Sequence, residues 1–168
     1  MIKPRTITPE LEIELINGTT WKLSEQSPEH FTLILFYRGK HCPKCKEQLE
    51  EVQENIEKFS KRGINVIAIS SDTESVAKET YKDWDINDIP LAYGFPIEEA
   101  RKWGLFISSG IKKEPDFFTE PGLFLLDKEH KVYWESIQSM PFGRPSLRAI
   151  LGGVDFILKE NYPARGEA

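Results

Sequence analysis

Cysteine is scarce in this chain of 168 residues, which carries two copies, Cys42 and Cys45. A pair this small cannot form the disulfide framework of a compact secreted domain. It also supplies only half of the four ligands that a structural zinc ion needs. Three histidines are available to complete such a site, namely His30, His41 and His130, but His41 adjoins Cys42 in sequence. We therefore expect neither a metal nor another cofactor.

Long apolar runs and long basic runs are also absent. No segment approaches the roughly 20 apolar residues of a membrane-spanning helix, and the N-terminal stretch MIKPRTITPELEIEL lacks the apolar core of a secretory signal. A net charge of −5, with 39% hydrophobic and 29% charged residues, is typical of a folded acidic protein. We expect one cytoplasmic domain over residues 1–168 that binds neither nucleic acid nor membranes.

The hydrophobic pattern of the N-terminal half predicts a strand–helix–strand unit behind a hairpin. LEIELI alternates apolar and acidic residues, which predicts an N-terminal β-hairpin at about 11–23. The continuous apolar runs at 31–37 and 64–70 are typical of strands buried on both faces. Between them, one helix is predicted from an apolar stripe formed by Leu49, Val52, Ile56 and Phe59. Gly63 is expected to end that helix.

The C-terminal half predicts further helices and an antiparallel hairpin. Ser71 and Glu74 have the spacing of a helix-capping box, and residues 105–119 are expected to form a long loop. GLFLLD and KVYWES are predicted to pair, and Ser146 to cap a last helix that Gly152 and Gly153 weaken. The tail at about 162–168 is expected to be frayed. The whole order predicts an α/β fold, with a mixed central sheet and helices on both faces.

The Cys-x-x-Cys motif falls where a predicted strand ends and a helix begins. Pro43 suits the first helical turn, Cys45 continues the apolar stripe inward, and Cys42 should be more exposed at the helix tip. The unpaired N–H groups and positive dipole of a helix N-terminus favour a thiolate. Nearby basic residues should lower the thiol pKa further; they are Arg38, Lys40, His41, Lys44 and Lys46. A redox pair is therefore favoured over two structural cysteines or half a zinc site.

Three segments, LILFYRGKHCPKCKEQLEEV, VIAISSDT and EPGLFLLDKEHKVYW, resemble the thioredoxin-like superfamily, and in particular its peroxiredoxin-like (AhpC/TSA-type) branch. The resemblance implies a thioredoxin-like fold over most of the chain. In thioredoxins the first cysteine attacks a disulfide, the second resolves it, and a cis-proline loop packs across the pair. Carried over, this implies that Cys42 is the nucleophile, Cys45 the resolving thiol and Pro121 the cis-proline. His41 replaces the motif's tryptophan, as a proton donor, a charge partner or a solvated polar residue.

The peroxiredoxin pattern implies the opposite order of attack. In that family the cysteine that attacks peroxide aligns with Cys45. The family's threonine or serine three residues before it, and its proline four residues earlier still, are replaced here by Cys42 and Arg38. The family's arginine before F-x-x-D should fall near Pro121 and is absent. Arg38 or Arg144 could substitute for it, although a loop arginine is more often exposed to water.

Three functions stay open from the sequence. The favoured one is a thiol–disulfide oxidoreductase in which Cys42 attacks. The second is a thiol peroxidase in which Cys45 is oxidised and Cys42 resolves the product. The third is a non-enzymatic redox sensor that binds a partner through Phe117 and Phe118. The substrate would be a peroxide or a protein or small-molecule disulfide, the reductant would be thioredoxin- or glutathione-like, and a homodimer is expected by family analogy.

Overall fold

The computed structural model describes residues 2–168. Apart from a 3-10 turn at Leu23–Glu25, the helices and strands within that range are, in chain order, β1 (Glu12–Glu14), β2 (Thr20–Lys22), β3 (Phe31–Phe36), α1 (Pro43–Glu54), α2 (Ile56–Lys61), β4 (Ile64–Ile69), α3 (Glu74–Asp83), β5 (Leu91–Ala92), α4 (Ile97–Lys102), β6 (Ile107–Ser109), β7 (Phe117–Thr119), β8 (Gly122–Leu126), β9 (Val132–Ile137) and α5 (Leu147–Glu160).

A mixed five-stranded sheet, in the order β5-β4-β3-β8-β9, forms the centre of the molecule. Strands β3, β4 and β5 run parallel, β8 pairs antiparallel with β3, and β9 pairs antiparallel with β8. The predicted parallel crossover and C-terminal hairpin are thus confirmed. All six residues of β3 are buried, as a continuous apolar run in a central strand requires.

Alternate residues of β3 face two separate hydrophobic clusters. Leu33 and Leu35 pack with side chains of α1, α2, α3 and α5. Ile34 and Phe36 pack with the β1–β2 hairpin and α4 on the opposite face. The expected α/β fold with helices on both faces is therefore confirmed, and the N-terminal hairpin is present. None of the helices in residues 2–168 is long and apolar enough to cross a membrane.

The helix predicted between β3 and β4 is divided in two at Asn55. Its backbone leaves the helical conformation, with φ −114° and ψ 16°. The side-chain amide of Asn55 donates to the carbonyl oxygen of Glu51 at 2.8 Å, a local hydrogen bond that competes with helix continuation. Gly63 follows with φ +66°, in the position predicted for the helix stop.

Two local predictions in the middle of the chain are wrong. Helix α3 is capped by Thr73, whose hydroxyl accepts from the N–H of Val76 at 3.4 Å, and not by Ser71. The segment 105–119 is not an irregular loop, because β6 and β7 pair antiparallel with Ser108 opposite Phe118. The strands are only three residues long, too short to give a clear alternation in the sequence.

The end of the chain, for which fraying is expected, contacts the N-terminal segment. Arg5 donates two hydrogen bonds to the carbonyl oxygen of Ala164, at 2.7 and 3.0 Å. Ala164 is buried, and Arg5 also forms an ion pair with Glu167 at 3.2 Å. These contacts give residues 164–167 defined partners on the body of the protein.

Two glycine substitutions should change the stability in opposite directions. Gly63→Ala places a Cβ 2.7 Å from the Cβ of Glu29 at a positive φ, so the free energy of unfolding should fall by at least about 1–2 kcal/mol. Gly152→Ala lies inside α5 with no atom near the added Cβ, and should raise it by about 0.5–1 kcal/mol. Urea unfolding measures both, and a destabilised Gly152→Ala variant would contradict the packing described for α5.

Candidate functional site

The two cysteines lie at the start of α1, directly after the central strand. Cys42 is the N-cap residue, Pro43 is in the first turn, and the N–H of Cys45 donates to the Cys42 sulfur at 3.2 Å. The pair is joined as a disulfide, with its Cα atoms 5.3 Å apart. That spacing lies within the usual range for a disulfide, so the bond can open and close with little backbone movement.

Both cysteines are buried. Cys45 is 0% exposed, as the apolar stripe predicts, and Cys42 is 1% exposed. The expectation that Cys42 is the more accessible thiol is therefore wrong. Its side chain turns back over the first turn of the helix, where it accepts the N–H of Cys45 and joins the same apolar cluster as Leu49.

Arg144 contacts the cysteine pair from a loop almost one hundred positions away in sequence. Its Nη2 lies 2.8 Å from the Cys45 sulfur and 3.7 Å from the Cys42 sulfur. Nη1 donates to the Oε1 of Gln48 at 2.5 Å, and Nε donates to the carbonyl oxygen of Pro141 at 2.9 Å. The guanidinium is thus held by three partners. It is not fully exposed to water, which is the usual environment of a loop arginine.

The charge on Arg144 is available to a thiolate. Burial, with a smaller contribution from the Arg38 charge, lowers the pKa of Arg144 to about 10, while Glu120 and Glu47 act in the opposite direction. A pKa near 10 still leaves the guanidinium positive at neutral pH. Within residues 2–168 no carboxylate forms an ion pair with it, so its nearest charged partner after reduction would be a sulfur.

The other basic side chains around the motif are engaged with carboxylates. The ion pairs are Arg38 with Glu120 (3.2 Å) and Glu114 (3.5 Å), Lys40 with Glu79 (2.7 Å) and Asp83 (2.9 Å), Lys44 with Glu47 (2.7 Å), and Lys46 with Glu50 (2.6 Å). Each paired charge has a nearby opposite charge, which weakens its field at the sulfurs. Cationic contact with the cysteines therefore comes from Arg144 rather than from the residues next to the motif.

His41 lies half-buried between the motif and the β6–β7 hairpin. Its ring packs edge-on against Phe118, with ring centres 4.7 Å apart. Burial and then the Arg38 charge lower the pKa of His41, so the imidazole is neutral at neutral pH. Its Nε2 is buried, with no hydrogen-bond partner among residues 2–168. A neutral ring of this kind can accept a proton, whereas it supplies no positive charge to the thiols.

Pro121 lines the site but is not a cis-proline. No peptide bond in the described part of the chain is cis, so the sequence-based expectation is wrong. The segment is held between neighbouring strands, because the N–H of Glu120 donates to Phe106 at 2.8 Å and the carbonyl of Pro121 accepts from Gln138 at 2.9 Å. Pro121 still borders a narrow cleft together with Gln48 and Arg144.

Arg144 also borders a wider groove on the outer surface. This groove has a volume of about 380 Å³ and lies between the start of α1 and the loop before α5. Its walls include Gln48 and Glu47 on the helix and Pro141 and the exposed Phe142 on the loop. The guanidinium therefore belongs to a side chain that borders both the outer groove and the narrow cleft, and it also contacts the two sulfurs.

A buried carboxylate fixes the loop that leads into the motif. The Oδ2 of Asp72 accepts the N–H of Lys40 at 2.9 Å. Gly39, with φ +127°, permits this approach, since an added Cβ would lie 2.5 Å from Asp72 Oδ1. Burial raises the pKa of Asp72. Asp72 lies three residues after the end of β4, and its position after a parallel strand beside β3 is a sequence signal that could have identified it.

Sequence analysis also missed Gln48 and Glu120. Gln48 lies three residues after Cys45 on α1, so helical spacing could have placed it near the pair. Nothing in the sequence distinguishes Glu120 from other acidic residues. No group of three or more His, Cys, Asp or Glu side chains in residues 2–168 is arranged to hold a metal ion.

Comparison with known proteins gives a family match and a fold match. The model of the AhpC/TSA family matches residues 4–135. A 1-Cys peroxiredoxin of Medicago truncatula is 26% identical over 89 residues, which make up 53% of this chain and 40% of that protein. The aligned segment thus spans less than half of that curated relative.

Two solved structures resemble the chain over nearly its whole length. A mutant of the peroxiredoxin 6 of Arenicola marina has a TM-score of 0.83 at 19% identity, covering 96% of this chain and 76% of that one. Peroxidoxin BcpB from Mycobacterium tuberculosis has a TM-score of 0.75 at 17% identity, covering 96% and 99%. These likenesses show that the mixed sheet and its helices form the expected thioredoxin-like fold.

Removing the Arg144 charge should raise the pKa of the Cys45 thiol. We expect Arg144→Met, in a Cys42→Ser background, to raise it by about one unit or more, because a charge-assisted hydrogen bond to the thiolate is lost. The pH dependence of iodoacetamide alkylation measures this pKa. Arg148→Met, an exposed arginine on the first turn of α5, is the matched control. An equal shift in both variants would contradict a specific contact.

Proposed function

Because the chain belongs to the AhpC/TSA family, we propose that it is a thiol-dependent oxidoreductase, and more narrowly a peroxidase in which Cys45 attacks the peroxide. The observation that carries the choice of cysteine is the position of Arg144, whose Nη2 is 2.8 Å from the Cys45 sulfur and 3.7 Å from that of Cys42. A cation this close favours the thiolate, which is the nucleophilic form.

The same contact allows Arg144 to replace the arginine that the peroxiredoxin pattern places near Pro121. That position holds no arginine here, and the loop before α5 brings Arg144 to the sulfurs instead. Cys42 stands where the family pattern has a threonine or serine. The proposal is therefore that an arginine from another segment stabilises the thiolate, and that a second thiol replaces the hydroxyl.

In the first chemical step, the Cys45 thiolate attacks one oxygen of the peroxide. The O–O bond breaks, an S–O bond forms, and the product is Cys45 sulfenic acid. The other oxygen leaves as an alkoxide or hydroxide and takes up a proton. Arg144 lies where its N–H groups can stabilise negative charge on the attacking sulfur, a contribution typical of preorganised donors.

In the second step, Cys42 attacks the sulfenic sulfur of Cys45. A disulfide forms, the S–O bond of the sulfenic acid breaks, and the hydroxyl leaves as water with the proton of the Cys42 thiol, which the neutral His41 ring can accept and pass on. The 5.3 Å separation of the Cα atoms permits this step within one helical turn. A thioredoxin- or glutathione-like thiol then reduces the disulfide and is itself oxidised to a disulfide.

The burial of both sulfurs supports a small substrate over a protein disulfide. Cys42 and Cys45 are 1% and 0% exposed, and Arg144 covers them from the side of the outer groove. A peroxide can reach the pair through a small displacement of that side chain. A protein disulfide would require the loop from Gln138 to Pro145 to move away.

A thiol–disulfide oxidoreductase with Cys42 as nucleophile is the second candidate. It is favoured by the N-cap position of Cys42, whose sulfur accepts the N–H of Cys45 at 3.2 Å. Such a hydrogen bond from a helix N-terminus also stabilises a thiolate. The third candidate is a redox sensor, a monomer or a homodimer, that passes its oxidation to a partner protein. It would be favoured if no reductant supports repeated turnover.

The two enzymatic candidates predict different reactive cysteines. In Cys42→Ser, we expect one equivalent of hydrogen peroxide to convert Cys45 rapidly to sulfenic acid, trapped as a single dimedone adduct by mass spectrometry. Cys45→Ser should react as slowly as a free thiol, because Arg144 stands farther from Cys42. Slow oxidation of Cys45, at the rate of an unactivated thiol, would contradict the peroxidase.

A small disulfide tests the second candidate in the same variants. Glutathione disulfide should form a mixed disulfide with Cys45 in Cys42→Ser more rapidly than with Cys42 in Cys45→Ser, since the thiolate fraction controls the rate of exchange. Mass spectrometry of quenched samples gives both rates. If Cys42 reacts faster with the disulfide and neither thiol reacts rapidly with peroxide, the oxidoreductase replaces the peroxidase.

A further inference from the structure

A second arginine, Arg38, lies in the segment between β3 and the cysteines and is paired with a buried carboxylate. Glu120 is 3% exposed, and its Oε2 lies 3.2 Å from the Nε of Arg38. The side chain of Arg38 is itself only 16% exposed. A buried carboxylate without a partner would be strongly unfavourable, so each charge depends on the other.

Glu120 and its neighbours restrain the Arg38 guanidinium from several sides. The other carboxylate oxygen of Glu120 accepts from the hydroxyl of Ser108 at 2.6 Å, which fixes its orientation. Glu114, at the tip of the β6–β7 hairpin, lies 3.5 Å from Nη2 of Arg38. The guanidinium carbon lies 4.6 Å from the centre of the Phe118 ring, within cation–π distance.

This pair lies close enough to the cysteines to affect them. Glu120 directly precedes Pro121, which borders the cleft that Arg144 also lines. His41, the neighbour of Cys42, packs on the same Phe118 ring that Arg38 covers. The Arg38 charge lowers the pKa of Arg144 and the Glu120 charge raises it, so both charges act on the residue that touches the sulfurs.

We propose that Glu120 is a positioning residue that holds Arg38 against the β6–β7 hairpin and cancels its charge, so that Arg144 alone supplies positive charge to Cys45. The charged groups that face this region are Arg38, Glu114, Glu120, Arg144 and Glu47, with a neutral His41. The reactivity of Cys45 is then set by a balance of two arginines and one buried carboxylate. This balance applies whether the substrate is a peroxide or a disulfide, so the proposal stands apart from the choice between them.

The sign of each effect follows from the charge that remains. Glu120→Gln leaves Arg38 without its buried counter-charge, and the added positive potential should lower the pKa of the Cys45 thiol. Arg38→Met leaves the carboxylate of Glu120 without its arginine partner, and the remaining negative charge should raise that pKa. The double variant contains neither charge, so its Cys45 pKa should return close to the parent value.

The test uses the full chain with Cys42→Ser, and the pH dependence of iodoacetamide alkylation as the readout. Glu120→Gln should raise the alkylation rate about 3–10-fold at a pH below the parent pKa, which corresponds to a shift of about half to one unit. Glu120→Asp keeps the charge and should stay near the parent. If Glu120 had only a structural role, the alkylation rates of the variants could change, but the Cys45 pKa would not fall in Glu120→Gln and return to the parent value in the double variant.

A remote ion pair provides the matched control. Arg62 donates to both carboxylate oxygens of Asp155 at 2.6 and 2.8 Å, so Arg62→Met and Asp155→Asn change the net charge by the same amounts. Neither should move the Cys45 pKa. If Glu120→Gln fails to fold, Arg38→Met with and without Glu120→Gln carries the test, since removing both charges avoids an unpaired buried ion. A pKa that Glu120→Gln leaves unchanged or raises, or a double variant that fails to return toward the parent pKa, would overturn the proposal.

Discussion

The contact between the Arg144 guanidinium and the Cys45 sulfur, at 2.8 Å, is the interaction on which the proposed chemistry of this site depends. It requires β3 and α1 to place the cysteines at a helix start, and the loop between β9 and α5 to bring the arginine back over them. Gln48 and Pro141 then fix the guanidinium through two further hydrogen bonds. In the proposed mechanism this side chain therefore sets both the charge beside the buried sulfurs and the access of substrate to them.

The positive charge near the motif is distributed differently from what the sequence suggests. Five basic residues within positions 38–46 appear to form a cationic surround, but the arginine and the lysines among them are paired with carboxylates, and burial favours neutral His41. The lysine pairs are largely exposed and contribute little to stability, whereas the Arg38–Glu120 pair is mostly buried and places a negative charge directly beside the arginine. The charge without a carboxylate partner instead comes from Arg144, and the partial burial that lowers its pKa also reduces screening by water.

The sequence was sufficient for the features that follow from hydrophobic pattern. The continuous apolar runs predicted β3 and β4, and the apolar stripe through Leu49 correctly predicted that Cys45 is buried. Features set by single side chains or by distant segments were not predictable in this way. Asn55 interrupts a helix whose apolar stripe continues past it, and the burial of Cys42 depends on its side-chain rotation.

The role of Arg144 is the clearest limit of a sequence-based argument. The sequence offers Arg144 as a substitute for a missing arginine, yet it favours exposure to water for a loop residue that follows the motif by almost one hundred positions. Only the folded arrangement of β9 and α5 brings it within 2.8 Å of Cys45. The family resemblance implied the thioredoxin-like fold and two opposite orders of attack, while the proposed choice of Cys45 as the activated cysteine rests on this tertiary contact.

The central claim is that Arg144 makes Cys45, rather than Cys42, the thiol that ionises first. The most direct measurement is an NMR titration of the reduced wild-type protein with isotopically labelled cysteine Cβ atoms, which follows the two thiols separately. The account predicts that Cys45 loses its proton at a lower pH than Cys42. A titration in which Cys42 ionises first would contradict it.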